Sequence, residues 1–365
     1  MKVHILGISG TFMSGIAILA KKKGYDVTGS DTSCYDPIKS ILEKENISVI
    51  KGHKIKDIKD KDLIIIGNVM SRGNPIVEYI LKNNMNYISG PQWLYDNILK
   101  HKKVVAVSGT HGKTTTTCIT AHIFNENHLD PTYIIGGRIL GQEDKSILGS
   151  SEYLIVEADE SDASFLHLSP EISVITNVDN DHLDFYENNI EKLNETFHQF
   201  LENLPFYGTA IICIDEKKGE KLFNDLSRPK ISYGFNKSAD YYLKDLKQTS
   251  SFQEFTLVRN SVGKEVRLQL KIAGRHNALN ATAAYIVAKE AGIATKIIRD
   301  SLKSFGGVSR RLEFKGDLKI NDKKIKLLDD YGHHPTEISA TVEACLLYTS
   351  PSPRDLSTSR MPSSA

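Results

Sequence analysis

Short aliphatic runs alternate with amphipathic stretches from the first residues onward: KVHILGI, then MSGIAILAKKKG, then YDVTGSD, with DLIIIGN and NPIVEYILKNN further on. An apolar run bounded by turn residues fits a strand covered on both faces, and a 3.6-residue apolar period fits a helix with one buried side. Their alternation predicts a parallel sheet wound with helices on both faces, a Rossmann-like unit over residues 1–98 that closes around GPQWLYDNILKHKK.

The pattern restarts at KVVAVSG and continues through YLIVEAD, ISVITNV and TAIICID, each followed by loop signals and mostly by a helical period. A second α/β unit with a mostly parallel sheet is expected over 99–305, closed by the small-residue helix NALNATAAYIVAKEAG. Residues 241–272 break the alternation, because EFTLVRN and EVRLQLKIAG flank NSVGK and read as an added antiparallel hairpin. Gly306 and Gly307 mark a hinge or linker. Residues 306–344, where LLDDYGHHPTEISATV reads as strand, loop and helix start, are expected to carry the truncated beginning of a third α/β domain, far short of a full one.

Composition narrows the class. A chain of 365 residues, 40% hydrophobic and 25% charged, has the make-up of a globular protein of two or three domains. Its 46 basic and 45 acidic residues leave no electrostatic footprint for nucleic acid or a membrane surface. Cys34, Cys118, Cys213 and Cys345 are scattered, which argues against a disulfide framework and fits a reducing compartment. MKVHILGISG enters a strand directly, and no apolar run approaches the ~18 residues of a membrane span, so a cytoplasmic location is expected.

Chemistry concentrates at strand ends. In VVAVSGTHGKTTTT a strand ends at Ser108, a loop of Gly109, Thr110, His111 and Gly112 follows, and Lys113, Thr114 and Thr115 open a helix. Loop amides and a helix N-terminus cradle phosphates, the lysine reaches the terminal phosphates, and the Thr114 hydroxyl can hold Mg²⁺. The spacing departs from the usual P-loop because Val107 stands where the first glycine belongs, and a plain glycine turn before a threonine-rich helix is the alternative. YLIVEADESD ends in Glu157, Asp159, Glu160 and Asp162, either a magnesium-binding strand end or a solvated acidic turn. VITNVDNDHLD supplies Asn177, Asp181 and His182, a structural pair unless a nucleotide site beside it makes His182 a ligand for a second metal.

GISGTFMSG resembles a dinucleotide turn, with Ser9 at the second glycine position. Gly7, Gly10, Ser14, Gly15 and the downstream Asp31 could take a nucleotide diphosphate, or the segment could be a purely structural βα turn. AGRHNALNA places Arg275, His276 and Asn277 before a helix; DDYGHHPTE places Asp329, Asp330, Tyr331, His333 and His334 in a loop, and both are open to a capping role.

Together these motifs resemble the Mur ligase family of peptidoglycan precursor synthesis, cytoplasmic enzymes of cell-wall biogenesis that form amides with ATP. The resemblance runs from Met1 to about Ala344. It implies a first domain holding UDP-N-acetylmuramate through Gly7, Ser9, Gly10, Met13, Ser14, Gly15 and Asp31, a central ATPase domain, and a third domain admitting the amine. EADESDASFLHLSP, LENLPFYGTAIICID, AGRHNALNA and DDYGHHPTE are similar to the branch that adds L-alanine. GISGTFMSGIAILA, GNVMSRGNP and SGPQWLYD are similar to the branch that adds a recycled tripeptide. The implied chemistry is phosphorylation of the muramyl carboxylate by ATP and attack of the amine on the acyl phosphate. It casts Lys113 as the charge-stabilising group, Thr114 and Glu157 as ligands of one Mg²⁺, and His182 as a ligand of a second. His276 and Asn277 are then expected near the nucleotide. Arg311, Asp330, Tyr331 and His333 are expected at the domain junction, the first two toward ATP and the last two toward the amine. Several relatives carry a carbamylated lysine where this chain reads NETFHQF without lysine. A nucleotide- and sugar-binding fragment without catalysis is the reading from another class. An unrelated P-loop kinase would leave the other motifs unexplained.

The closing CLLYTSPSPRDLSTSRMPSSA has no periodicity and follows a domain only just begun. Back-translated, its two ends resemble a transposase-derived sequencing adapter, so 345–365 are expected to be translated adapter, the alternative being a Ser/Pro-rich disordered tail.

Overall fold

The computed structural model describes residues 1–36, 38–140, 146–160, 164–179, 186–187, 189–249, 252–320 and 323–346. Asp162, Asp181, His182 and the tail from 347 onward, on which four of the expectations fall, lie outside the described residues.

The first unit runs β1 (Lys2–Leu6), α1 (Thr11–Lys22), β2 (Asp26–Asp31), α2 (Ile38–Lys44), β3 (Ser48–Lys51), β4 (Leu63–Ile66), α3 (Pro75–Lys82), β5 (Tyr87–Ser89) and α4 (Gly90–Asn97). Local chemistry sets the helix starts. The Asn74 side chain accepts from the Ile76 amide before Pro75, and the Ser89 hydroxyl accepts from the Gln92 amide before Pro91. All five strands are parallel in the order β3-β2-β1-β4-β5. The chain leaves β1 toward β3 and later returns to its other side, so a crevice opens at the carboxyl end of β1, where the Gly7 loop lies.

The second sheet has ten strands. Its elements are β6 (Lys103–Ser108), α5 (Lys113–Glu126), β7 (Thr132–Ile134), β8 (Ser146–Ile147), β9 (Tyr153–Glu157), β10 (Ile172–Ile175), α6 (Ile190–Glu202), β11 (Thr209–Cys213), α7 (Lys217–Asp225), β12 (Lys230–Gly234), β13 (Tyr241–Gln248), β14 (Gln253–Arg259), β15 (Lys264–Leu270), α8 (Arg275–Glu290) and α9 (Thr295–Ser304). They order as β15-β14-β13-β12-β11-β10-β6-β9-β7-β8. The expected hairpin is β14–β15, turning through Gly263 at φ +58°. It is extended by β13, which pairs parallel to β12 and antiparallel to β14, so the three strands continue the sheet.

Successive residues of the central strands face opposite cores, as the pleat requires. Val104, Ala106, Leu154, Val156, Ala210 and Ile212 pack on the side of α6, with Leu193, Phe197, Phe200 and Leu201. Val105, Val107, Ile155, Ile211 and Cys213 pack on the side of α5 and α8. The α6-side core also contains Val3, Ile5, Trp93 and Leu94, so apolar packing is continuous between the two sheets. Phe197 is fully buried there, and truncating it to alanine costs roughly 3–5 kcal/mol by the usual cavity scale.

The stretch around Gly306 and Gly307 is tied down rather than free. The Leu140 amide donates to the Gly307 carbonyl at 3.1 Å and the Ser309 amide to the Arg138 carbonyl at 2.8 Å. Beyond it, β16 (Glu313–Ile320) and β17 (Lys323–Asp329) form an antiparallel pair, and α10 (Pro335–Leu346) follows. The Gln248 side chain donates to the Ala344 carbonyl at 3.1 Å, seating α10 against the second unit.

Candidate active site

Strand order puts three functional loops side by side. β6 lies between β9 and β10, with Val107 opposite Glu157 and Ser108 opposite Ile175. After Ser108 the backbone turns through Gly109 at φ +123° and Gly112 at φ +82°, where a side chain would be strained. A Cβ on Gly109 would sit 2.3 Å from Thr176 Oγ1, and one on Gly112 would sit 2.5 Å from Asn280 Oδ1. Asn177 sets the loop's shape. Its carbonyl accepts from the Thr110 amide at 3.2 Å, its Oδ1 accepts from the His111 amide at 2.9 Å, and its Nδ2 donates to the His111 carbonyl at 2.9 Å. Those two loop amides are therefore committed to the fold. A helix cannot satisfy its own first donors, which here fall at Lys113, Thr114 and Thr115, and such a terminus can bind an anion.

Lys113 is bound tightly where it stands. Its Nζ donates to both Glu160 carboxylate oxygens, at 2.8 and 3.0 Å, and to the Thr110 carbonyl at 3.2 Å. The side chain of Glu160 is fully buried and that of Lys113 is 11% exposed, whereas Asp159, 4.0 Å from the same ammonium, is 47% exposed. Burial works against the Lys113 charge, but Glu160 and Asp159 outweigh it and raise the lysine's pKa. Burial likewise pushes the Glu160 carboxyl up, against the pull of Lys113. Sequence reasoning set Glu160 within one acidic cluster and did not separate it from its solvated neighbours.

Next to this pair, the Thr114 hydroxyl donates to Glu157 Oε1 at 2.7 Å, and the Gly136 amide donates to Glu157 Oε2 at 2.6 Å. Gly136 and Gly137 close over these side chains: a Cβ on Gly137 would lie 2.4 Å from Thr114 Cγ2. The doublet in IIGGRIL was the available signal. Two hard oxygen donors 2.7 Å apart suit neighbouring positions of a six-oxygen shell, whose radius of about 2.0–2.1 Å sets adjacent oxygens about 3 Å apart, so Thr114 and Glu157 fit Mg²⁺.

A cavity beside the loop is walled by Gly112, Thr115, Asn177, His276, Asn277, Asn280, Arg311, Asp330 and Glu337. His276 is neutral at physiological pH, because burial lowers its pKa to about 4. Asn277 and Asn280 are buried, and Asn280 Nδ2 donates to Asn277 Oδ1 at 3.2 Å. Asp330 accepts from the amides of Leu312 at 2.8 Å and Gly332 at 2.7 Å, shaping its own loop. Arg311 donates to Glu337 Oε1 at 3.3 Å. His111 stands between two carboxylates, with Nε2 3.3 Å from Asp179 and Nδ1 3.5 Å from Glu337, and its ring lies 4.9 Å from that of His334. Burial opposes charge on His111, but Glu337 and Asp179 prevail and raise its pKa. Burial also opposes charge on Glu337, but the His111 bond and Arg311 hold it at about 2. Thr336 Oγ1 donates to Asp179 at 2.9 Å, so α10 is joined to the Gly109–Gly112 loop through Glu337 and His111 and to the loop after β10 through Thr336. Tyr331 and His333 are exposed at the rim, with Arg310 over the Tyr331 ring. Glu337, Asn280 and Asp179 were not singled out from sequence.

At the first sheet, Gly7 (φ +75°) and Ile8 donate their amides to the Ser30 carbonyl, and the Ser9 amide donates to Asp31 Oδ2 at 2.9 Å. Asp31 also accepts from the Thr32 hydroxyl, so it braces the turn. Ser9 Oγ is buried without a hydrogen-bond partner among the described residues. Gly10, Ser14 and Gly15 begin α1, where the Ser14 amide donates to the Gly10 carbonyl at 2.8 Å. Met13 is buried, its sulfur packed where a Cβ on Gly90 would lie 2.5 Å away.

Residues 2–102 match the family model described as Mur ligase family, catalytic domain, and residues 107–288 match that of the Mur ligase middle domain. The chain is 42% identical over 342 residues to the UDP-N-acetylmuramate--L-alanine ligase of Vesicomyosocius okutanii subsp. Calyptogena okutanii (strain HA), covering 94% of this chain and 72% of that protein. Among solved structures it is similar to a murein peptide ligase from Psychrobacter arcticus 273-4, with 31% identity, TM-score 0.77, and coverage of 94% of this chain and 76% of that one. A UDP-N-acetylmuramate-alanine ligase from Thermotoga maritima gives 27% identity and TM-score 0.80, with coverage of 94% and 77%.

Proposed function

Because the chain belongs to the Mur ligase family of ATP-dependent amide ligases, we propose that it joins L-alanine to the lactyl carboxylate of UDP-N-acetylmuramate. The observation that carries this reading is Lys113, Thr114 and Glu157 converging from adjacent strand ends, in a chain 42% identical to an L-alanine ligase over nearly all its length. In this reading the carboxylate oxygen attacks the γ-phosphorus of ATP, the bond to the β-γ bridging oxygen breaks, and ADP leaves. The amine then attacks the acyl phosphate carbonyl, loses a proton and expels inorganic phosphate.

The chain's own groups supply position and charge. Lys113 and the first amides of α5 stabilise charge on the transferring phosphoryl group. Thr114 and Glu157 hold Mg²⁺, which when bound neutralises phosphate charge. The cavity of His276, Asn277 and Asn280 takes the nucleoside end of ATP, with neutral His276 an uncharged neighbour. The loop of Gly7, Ser9 and Gly10 takes the diphosphate of the UDP-sugar, its unpartnered Ser9 hydroxyl being available to an oxygen. No helix among the described residues is long and apolar enough to cross a membrane, and a reaction that consumes ATP and a UDP-sugar is assigned to the cytoplasm in this reading.

A second reading keeps the sugar and the ATP chemistry and exchanges the amine for a tripeptide. It is favoured by the likeness to the murein peptide ligase. Phosphate release from ATP with UDP-N-acetylmuramate and either amine decides between them. Turnover with L-alanine is expected, and turnover with the tripeptide alone would overturn the first reading.

A further inference from the structure

Lys113, assigned above to the phosphoryl group, is held by a carboxylate that belongs to neither the metal pair nor the cavity. Glu160 grips the ammonium with both oxygens, at 2.8 and 3.0 Å, and is itself fully buried. It is also fixed from behind, because the Tyr186 hydroxyl donates to its carbonyl oxygen and Tyr186 is buried. Glu157, three residues earlier, is engaged by Thr114 and Gly136, so the two acids divide the work between them.

We propose that Glu160 is a resident counter-ion for the phosphate-loop lysine, exchanged for the phosphate chain when nucleotide binds, and thus a positioning residue that sets the affinity for phosphorylated nucleotides. The proposal rests on the reading of this loop as an ATP site. An ammonium withdrawn from water needs a compensating charge, and breaking a buried pair leaves the remaining charge uncompensated. Glu160 supplies that charge while the loop is empty. Arriving phosphate oxygens compete with the carboxylate for the same Nζ protons, and the two anions repel across a short gap in a medium that screens poorly. Removing the charge of Glu160 therefore favours phosphate, while the nucleoside end, bound in a cavity that Glu160 does not line, is untouched.

The test compares ADP with adenosine by calorimetry on the 365-residue chain and its Glu160→Gln variant, at a pH near neutrality. ADP is expected to bind about tenfold more tightly to the variant, the equivalent of roughly one pKa unit of differential interaction, with adenosine unchanged. The shorter carboxylate of Glu160→Asp keeps the charge but loosens the grip, and is expected to tighten ADP about two- to threefold, about a third to a half of that effect in free energy. It carries the same test should the glutamine variant fail to fold. An ADP affinity that stays constant or weakens, or a change shared equally by adenosine, would overturn the exchange. Failure of the unmodified chain to bind either compound would overturn the nucleotide site itself, and the exchange with it.

Discussion

Glu337→Gln is the sharpest probe of how α10 is held to the phosphate loop. The carboxylate meets Arg311 at 3.3 Å and His111 at 3.5 Å through Oε1, and the His333 amide donates to Oε2 at 3.3 Å. Its titration is drawn from an ordinary 4.5 down to about 2. At about 1.36 kcal/mol per tenfold that displacement has a ceiling near 3 kcal/mol. Solvent access at the site reduces it to roughly 1–2 kcal/mol. The sign follows from linkage: a lowered acid stabilises fully above 4.5 and loses its contribution as pH falls toward 2. His111, raised from 6.5, contributes fully below that value and fades as pH rises through its elevated one. The contact is therefore strongest between about pH 4.5 and 6.5. Amide hydrogen exchange of Pro335–Leu346, taken as a ratio of variant to parent at each pH, should rise about 5- to 30-fold at pH 6 and less at pH 9. An unchanged ratio, or one that grows from pH 6 to pH 9, would refute the assignment of His111 and Glu337 as a charged pair.

Glu157→Gln, which keeps the Thr114 bond but loses a charge, should raise the Mg²⁺ concentration needed for half-maximal ATP turnover by about tenfold or more; an unchanged Mg²⁺ dependence would exclude Glu157 as a ligand. Gly112→Ala forces a Cβ to 2.5 Å from Asn280 Oδ1 at φ +82° and should lower stability by about 1–3 kcal/mol in denaturant unfolding, the Asn280→Ala background recovering part of it. His4 is fully buried between Thr28 and Ser30, and burial lowers its pKa to about 4. Stability should therefore fall by up to about 3 kcal/mol as pH drops from 6.5 to 4, because only the unfolded chain takes up that proton. His4→Asn should flatten this acid limb in thermal unfolding, and an unaltered slope would refute it.

Much of the fold was legible because its rules are local. Runs such as KVVAVS and TAIIC are buried on both faces and declare themselves as strands, and glycines at Gly109 and Gly112 announce a turn that only glycine makes without strain. Short edge elements were not legible: SVIK and YIS are exposed or half-buried, so their patterns carry little apolar signal. The strand β13 reads YYLKDLKQ, with a register shift between Lys244 and Lys247 that blurs its alternation. In the site, the loop and its lysine were readable from spacing. Which of Asp159 and Glu160 is dry was not, because burial is decided by Tyr186 and the surrounding core rather than by neighbours in the chain. Glu337 stood in the quoted motif DDYGHHPTE, but its partner His111 lies on a distant segment that only folding brings near.

The placement of β6 between β9 and β10 amounts to a built-in ruler. Neighbouring parallel strands are held about 4.8 Å apart by their hydrogen bonds, so the ends of β9 and β10 stand about 10 Å apart with the phosphate loop between them. That width is set by backbone ladders in the core and is indifferent to what the loops contain. The surrounding loops can therefore be rewritten, by drift or by design, while the span between the Glu157 carboxylate and the Asn177 brace remains fixed.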